Sequence, residues 1–191
     1  MAKRKQPGQV RIIGGTWRGR KLSVADVPGL RPTTDRIRET LFNWLMPYLG
    51  GARVLDAFAG TGVLSFEALS RGARFAELVE SDATAARMIQ DNIARLGAAA
   101  NVSRGDARHL IRQGPSGPAF DVVFLDPPFA DQDMSSLVDG LVQGAWLAED
   151  ALIYIEQESG RNLPDCVEVV RDKIAGGVQF GLYRARREGN S

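Results

Sequence analysis

Val54-Leu55-Asp56-Ala57-Phe58-Ala59-Gly60-Thr61-Gly62 is a short apolar run that ends on a carboxylate and turns on two glycines into Val63-Leu64-Ser65-Phe66. The pattern predicts a strand, a tight turn and a helix. In open α/β sheets a ligand binds outside the carboxyl end of a strand at such a turn, and glycine lets it approach the backbone closely. The stretch lacks the dinucleotide fingerprint G-x-G-x-x-G, because Ser65 stands where the third glycine would be. Asp56 also places negative charge where a pyrophosphate would sit. A carboxylate there suits a ligand with positive groups, such as the ammonium and sulfonium of S-adenosylmethionine. Taken alone, the glycine pair is also explained by a plain tight turn.

On the C-terminal side the chain alternates strand and helix patterns. Strands are expected at 53–57, 75–80, 101–103, 122–125 and 151–155. Helices are expected at 63–71, 83–96, 107–112 and 135–144. Two last strands, 167–171 and 179–184, have no helix between them. Strands that are apolar almost throughout predict a parallel sheet covered on both faces, and the last two predict an antiparallel hairpin at one edge. On the N-terminal side Thr33 or Thr34 offers an N-cap to a helix whose apolar face is Ile37, Thr40, Leu41, Trp44 and Leu45. Before it, Val10–Ile13 and Arg20–Val24 flank Gly14-Gly15-Thr16-Trp17-Arg18-Gly19 as a small hairpin. The expected fold class is α/β, with residues 1–25 a basic arm and β-hairpin and residues 26–191 one Rossmann-like domain.

Three further strand ends carry candidate chemistry. Glu80, followed by Ser81, ends the second sheet strand, where an acidic side chain can accept hydrogen bonds from both hydroxyls of a ribose; a surface glutamate is the plain alternative. Asp106-Ala107 follows the third strand, where Asp106 can accept from an adenine amino group, cap the next helix, or do both. Asp126-Pro127-Pro128-Phe129 follows the apolar fourth strand. Its prolines fix the backbone and remove two N–H donors, leaving carbonyls and the Asp126 carboxylate as acceptors beside an aromatic ring. Amine methylation needs that set. The lone pair of a base's exocyclic amine is delocalised into the ring, and hydrogen bonds from the amine to Asp126 and the Pro127 carbonyl would turn it toward an incoming methyl group. Phe129 offers a surface for a base taken out of its stack. In isolation the string is also a simple proline turn.

Composition narrows the chemistry. The 191-residue chain has one histidine and one cysteine, which leaves no material for a zinc cluster, an internal disulfide or a Ser-His-Asp triad. His109 and Cys166 read as structural, and Trp44 and Trp146 as core. No apolar run is long enough to span a bilayer, and no signal peptide is evident. The expectation is a cytoplasmic protein with no metal and no membrane. Residues 1–21 contain Lys3, Arg4, Lys5, Arg11, Arg18, Arg20 and Lys21 and no acidic residue, while the whole chain has a net charge of only +1. A basic arm on an acidic body predicts a polyanionic partner. Arg11, Trp17, Arg18, Arg20 and Lys21 together suit phosphate contacts and base stacking.

These residues resemble the Class I methyltransferases, and more closely the bacterial 16S ribosomal RNA guanine-N2 methyltransferases of the RsmD type. The likeness runs over nearly the whole chain. It includes Arg11-Ile12-Ile13-Gly14-Gly15, Arg18-Gly19-Arg20-Lys21-Leu22 and Arg31-Pro32-Thr33-Thr34-Asp35-Arg36-Ile37-Arg38-Glu39-Thr40-Leu41-Phe42-Asn43, with the glycine turn and Asp-Pro-Pro-Phe. The resemblance implies a seven-stranded sheet with a reversed last strand. It implies S-adenosylmethionine held by Asp56, Phe58, Ala59, Gly60, Thr61, Gly62, Glu80, Ser81, Asp106 and Ala107, and N2-methylguanine in small-subunit rRNA as product. Arg36 is placed near the methionine carboxylate of the cofactor, or else is a solvated arginine on a capped helix. The implied partner is 16S rRNA, within a small-subunit particle, met by a monomer. Alternatives are an N6-adenine methyltransferase on DNA or RNA, a protein-glutamine methyltransferase, a NAD-dependent dehydrogenase, and a non-catalytic RNA-binding module on the same fold.

Overall fold

The computed structural model describes residues 8–25, 34–128 and 133–186. Two short strands, β1 (Gly8–Arg11) and β2 (Lys21–Val24), pair antiparallel as a separate ribbon. Helix α1 (Asp35–Leu45) follows, capped by Thr34, whose side-chain oxygen accepts from the Ile37 N–H. The alternation is then β3 (Arg53–Asp56), α2 (Val63–Ser70), β4 (Phe75–Glu80), α3 (Ala83–Leu96), β5 (Ala100–Arg104), α4 (Ala107–Gln113), β6 (Phe120–Leu125), α5 (Met134–Gln143), β7 (Leu147–Glu158), β8 (Val167–Ala175) and β9 (Val178–Ala185).

The main sheet has seven strands in the order β5-β4-β3-β6-β7-β9-β8. All pairs from β5 to β7 are parallel, and β9 runs antiparallel to both of its neighbours. The chain winds outward from β3 to β5, then returns to β6 on the other side of β3. The topological switch point therefore lies between β3 and β6, beyond their carboxyl ends.

The continuous apolar strands hide a period of two. Val54, Val122, Phe124, Leu152 and Tyr154 face one core, shared with α1, α2 and α3, whereas Leu55, Val123, Leu125, Ile153 and Ile155 face another, shared with α4 and α5. Each fully buried residue of this size contributes about 1.5–3 kcal/mol. Both faces are thus covered, as expected for a parallel sheet.

The hairpin is not a free arm over residues 8–25. Ile12 and Leu22 are fully buried in the same core as α1–α3. The Thr16 N–H donates to the Ser70 carbonyl at 2.8 Å, and Ser70 Oγ donates to the Gly14 carbonyl at 2.6 Å. Gly15 has φ +74°, and a Cβ there would stand 1.9 Å from the Ser70 carbonyl oxygen, so no other residue lets the hairpin lie this close to the end of α2. Arg38 completes the joint. Fully buried, it donates to the Arg11 carbonyl at 3.0 Å, to Glu67 Oε1 at 3.3 Å and to Asp35 Oδ1 at 2.5 Å. Residues 1–7 of the basic arm lie outside the described residues.

Candidate active site

The turn after β3 is held by backbone bonds to both neighbouring strands. The Ala57 N–H donates to the Phe124 carbonyl at 3.1 Å and the Ala59 N–H to the Val79 carbonyl at 2.9 Å. Gly62 caps α2 at φ 73°, and a Cβ there would press on Phe66, Leu78 and Ile89 at 3.0–3.3 Å. Asp56 ends β3 and is buried, with Ser65 Oγ donating to its Oδ2 at 2.9 Å. Burial, with a smaller push from Glu80, raises its pKa to about 7, although the Ser65 hydrogen bond opposes the rise.

Glu80 faces the glycine turn. Its Oε2 accepts from the Gly60 N–H at 2.7 Å, while its Oε1 accepts from the Asp82 N–H at 2.7 Å and from Ser81 Oγ at 3.4 Å. Asp82 in turn caps α3. Asp106 is exposed beyond β5 and caps α4 through the Arg108 N–H at 2.7 Å. Thr61 is buried and its hydroxyl accepts from the Val63 N–H at 3.3 Å, whereas Phe58 is half-buried and packs on the second core.

Asp126 follows β6 immediately, with Pro127 buried and Pro128 exposed. Burial first, then the Glu156 and Asp56 carboxylates, hold the Asp126 carboxyl well above the usual carboxylate range. The carboxyl ends of β3, β4 and β6 thus bring the acidic groups Asp56, Glu80 and Asp126 to one rim of the sheet. Phe129 lies outside the described residues.

Glu156, near the end of β7, escapes a reading of the sequence. The apolar pattern ends the strand at Ile155, but the strand continues to Glu158 and carries Glu156 beside Asp126 at 8% exposure. The Tyr154 hydroxyl donates to its Oε2 at 2.6 Å. Burial raises the pKa of Glu156, and burial together with Glu156 pushes that of Tyr154 higher still. The available signal was the two-residue spacing of Tyr154 and Glu156, which puts both on one strand face.

The other expected residues divide into groups. Arg11, Arg18, Arg20 and Lys21 are exposed along the hairpin, and Trp17 is half-buried against the first core. Arg36 is exposed on α1, and its carbonyl accepts from Thr40 Oγ1 at 3.0 Å. Trp146 is core, with Nε1 donating to the Ile111 carbonyl at 2.9 Å, and Trp44 stacks on Phe180 at the core edge. His109 is exposed near Gln113. Among the described residues no helix is long and apolar enough to cross a membrane.

Comparison with known proteins gives a consistent result. The family model described as Conserved hypothetical protein 95 matches residues 10–184. The chain is 46% identical to ribosomal RNA small subunit methyltransferase D of Escherichia coli strain K12, covering 96% of this chain and 94% of that protein. It is 44% identical to the protein of the same name in Haemophilus influenzae, with 93% and 94% covered. Among solved structures, a candidate methyltransferase from Escherichia coli, yhhF, superposes with a TM-score of 0.84 at 45% identity, covering 95% of this chain and all (100%) of that one.

Proposed function

Because the chain belongs to the family of ribosomal RNA small subunit methyltransferase D, we propose that it transfers a methyl group from S-adenosylmethionine to the exocyclic N2 amine of a guanine in small-subunit (16S) rRNA. The observation that carries this reading is the acidic rim of the switch point, where Asp56, Glu80 and Asp126 stand around a glycine turn whose Gly60 N–H donates to Glu80 at 2.7 Å.

The donor set fits the cofactor. Asp56 is a buried carboxylate beside the glycine turn, suited to an ammonium group, and Glu80 is clamped in place to face a ribose. Asp106-Ala107 would meet the adenine, and Phe58, Ala59, Gly60, Thr61 and Gly62 would line the wall. Ser81 flanks the ribose side, and Arg36 is assigned to the carboxylate end. When bound, the cofactor supplies an electrophilic methyl group on a positively charged sulfur. The chain's own part is mostly positioning.

Asp126 and the Pro127 carbonyl accept the two N2–H groups, which aims the nitrogen lone pair at the methyl carbon. Methyl transfer to N2 would form a nitrogen–carbon bond at the expense of the donor's carbon–sulfur bond, and Asp126 or water would take the N2 proton. A carboxylate whose proton affinity is raised by burial is a stronger acceptor for those N–H groups. Phe129, outside the described residues, would supply the stacking surface. Residues 1–25 are the RNA-docking element, with phosphates met by Arg11, Arg18, Arg20 and Lys21, and residues 26–191 form the methyltransferase domain. The enzyme acts as a cytoplasmic monomer on a small-subunit ribosomal particle.

The test is transfer of labelled methyl groups to unmethylated small ribosomal subunits by wild type and Asp126→Ala, followed by nucleoside analysis. The reading requires N2-methylguanine from wild type and a loss of about 10²-fold or more in the variant. Label in adenine or protein would move the acceptor. Cofactor binding without transfer to any acceptor would favour a non-catalytic RNA-binding module.

A further inference from the structure

Asp126 and Pro127 alone do not tell guanine from adenine, because both bases carry an exocyclic amine and both residues only accept hydrogen bonds. The bases differ at the neighbouring ring nitrogen. Guanine presents N1–H as a third donor beside its two N2–H groups, whereas adenine N1 is an acceptor. A site that selects guanine therefore needs one more fixed acceptor next to Asp126.

Glu156 occupies that place. Leu125 and Ile155 are paired in the parallel register of β6 and β7, so the next residues, Asp126 and Glu156, stand side by side beyond it. Adjacent strands lie about 4.8 Å apart, a gap that two carboxyl side chains of unequal length span when they meet adjacent donors of one base edge. The support beneath is rigid. Phe124 and Tyr154, each two residues earlier and paired in the same register, pack edge to face with centroids 6.0 Å apart. The fully buried Tyr154 donates to Glu156 Oε2 at 2.6 Å, which sets the carboxylate and commits one of its oxygens.

A purely structural role explains this poorly. Setting Glu156 beside Asp126 raises the proton affinity of Asp126, and burial raises that of Glu156 itself, a cost that an apolar residue would avoid. A ligand edge with adjacent N–H donors offsets it.

We propose that Glu156 is a specificity-determining residue that accepts the N1–H of the target guanine through Oε1, beside Asp126 and Pro127 on the N2 amine, while Tyr154 holds it in position. An adenine in the same pose would set its N1 lone pair against this carboxylate. The inference rests on the guanine-N2 reading above.

The test compares two acceptors that carry the same 2-amino group. The guanine methylated by wild type is mapped, and small subunits are reconstituted with guanine or 2-aminopurine at that position; 2-aminopurine keeps the amine and lacks N1–H. Transfer rates are measured for wild type, Glu156→Gln and Tyr154→Phe, each first shown to bind S-adenosylmethionine and to melt as a folded protein. Wild type should prefer guanine by about tenfold or more, the scale of a well-made base contact. Glu156→Gln, whose amide can donate to an unprotonated ring nitrogen, should collapse or invert that ratio. Tyr154→Phe should lower it less. If either folded variant loses rate equally on both acceptors, with the ratio unchanged, Glu156 does not read the base and the inference falls alone. Failure of wild type to methylate any guanine overturns the guanine-N2 reading and this inference together. If Glu156→Gln does not fold, the ratio in Tyr154→Phe decides.

Discussion

Glu80 and Gly60 join β4 to the glycine turn: the Gly60 N–H donates to Glu80 Oε2 at 2.7 Å, and the other oxygen of the same carboxylate accepts from Asp82 at 2.7 Å. One side chain thus fixes the loops after β3 and β4 relative to each other, and both loops line the proposed cofactor site.

Glu80→Ala should therefore cost more than a ribose contact. Hydrogen bonds to a charged acceptor contribute roughly 1.5–3 kcal/mol each, so with two of them a loss of about 3–6 kcal/mol in stability is expected with a large fall in cofactor affinity. Denaturant unfolding and titration calorimetry measure the two. A variant that binds S-adenosylmethionine weakly at full stability would mean that the loops do not depend on this clamp.

Asp56 predicts a pH dependence. Its pKa of about 7 in the fold lies above the ordinary aspartate value of 3.8, so between these values the folded state keeps a proton that the unfolded state has released. Stability therefore falls as pH rises through that window, and the loss is complete above it. Asp56→Asn removes the effect, and its Tm relative to wild type should climb from pH 4 to pH 7 and then level off. Cation binding favours the ionised form, so wild-type affinity for the cofactor should drop below about pH 7 and the variant's should be weak and flat. A wild-type affinity that does not change between pH 5 and 8 would rule this out.

Arg38→Met leaves Glu67 buried with one partner fewer, since both side chains of the pair are fully buried, at 0% exposure. Breaking such a pair from one side costs about 3–5 kcal/mol, and the hairpin amides should exchange faster as their anchor on Arg11 is lost. Arg36→Ala, on the exposed side of the same helix, should change stability by less than about 0.5 kcal/mol. Hydrogen exchange read residue by residue checks both.

Arg18→Glu combined with Arg20→Glu should weaken rRNA binding by about tenfold or more at moderate salt and flatten its salt dependence, because fewer counterions are released. Cofactor affinity should not change. Equal RNA affinity in both proteins would remove the hairpin from the proposed interface.

Much of this fold is legible in the chain because its signals are local. The helix over 83–96 begins at an aspartate cap and ends at Gly97 with φ 61°, and both lie within a turn of the helix itself. The apolar runs of β3 and β6 read directly as buried parallel strands. The length of β7 did not, since Leu147–Glu158 is drawn out by pairing with β6 on one side and β9 on the other. Arg38 was equally opaque. It lies on the apolar face of α1, where a charge is expensive, and its compensation comes from Glu67 and the Arg11 carbonyl, far away in sequence.

By itself the sequence determined the order of strands and helices, the glycine turn, and which acidic residues end which strands, since each depends on periodicity and backbone sterics within a few neighbours. Only the tertiary structure decided that Asp56 and Asp126 share one rim, that Glu156 stands beside Asp126, and that the hairpin is bolted to α1 and α2. Those relations depend on sheet register and on burial. The carboxylates' proton affinities follow from the same cause, because desolvation and the approach of like charges exist only once the strands are side by side.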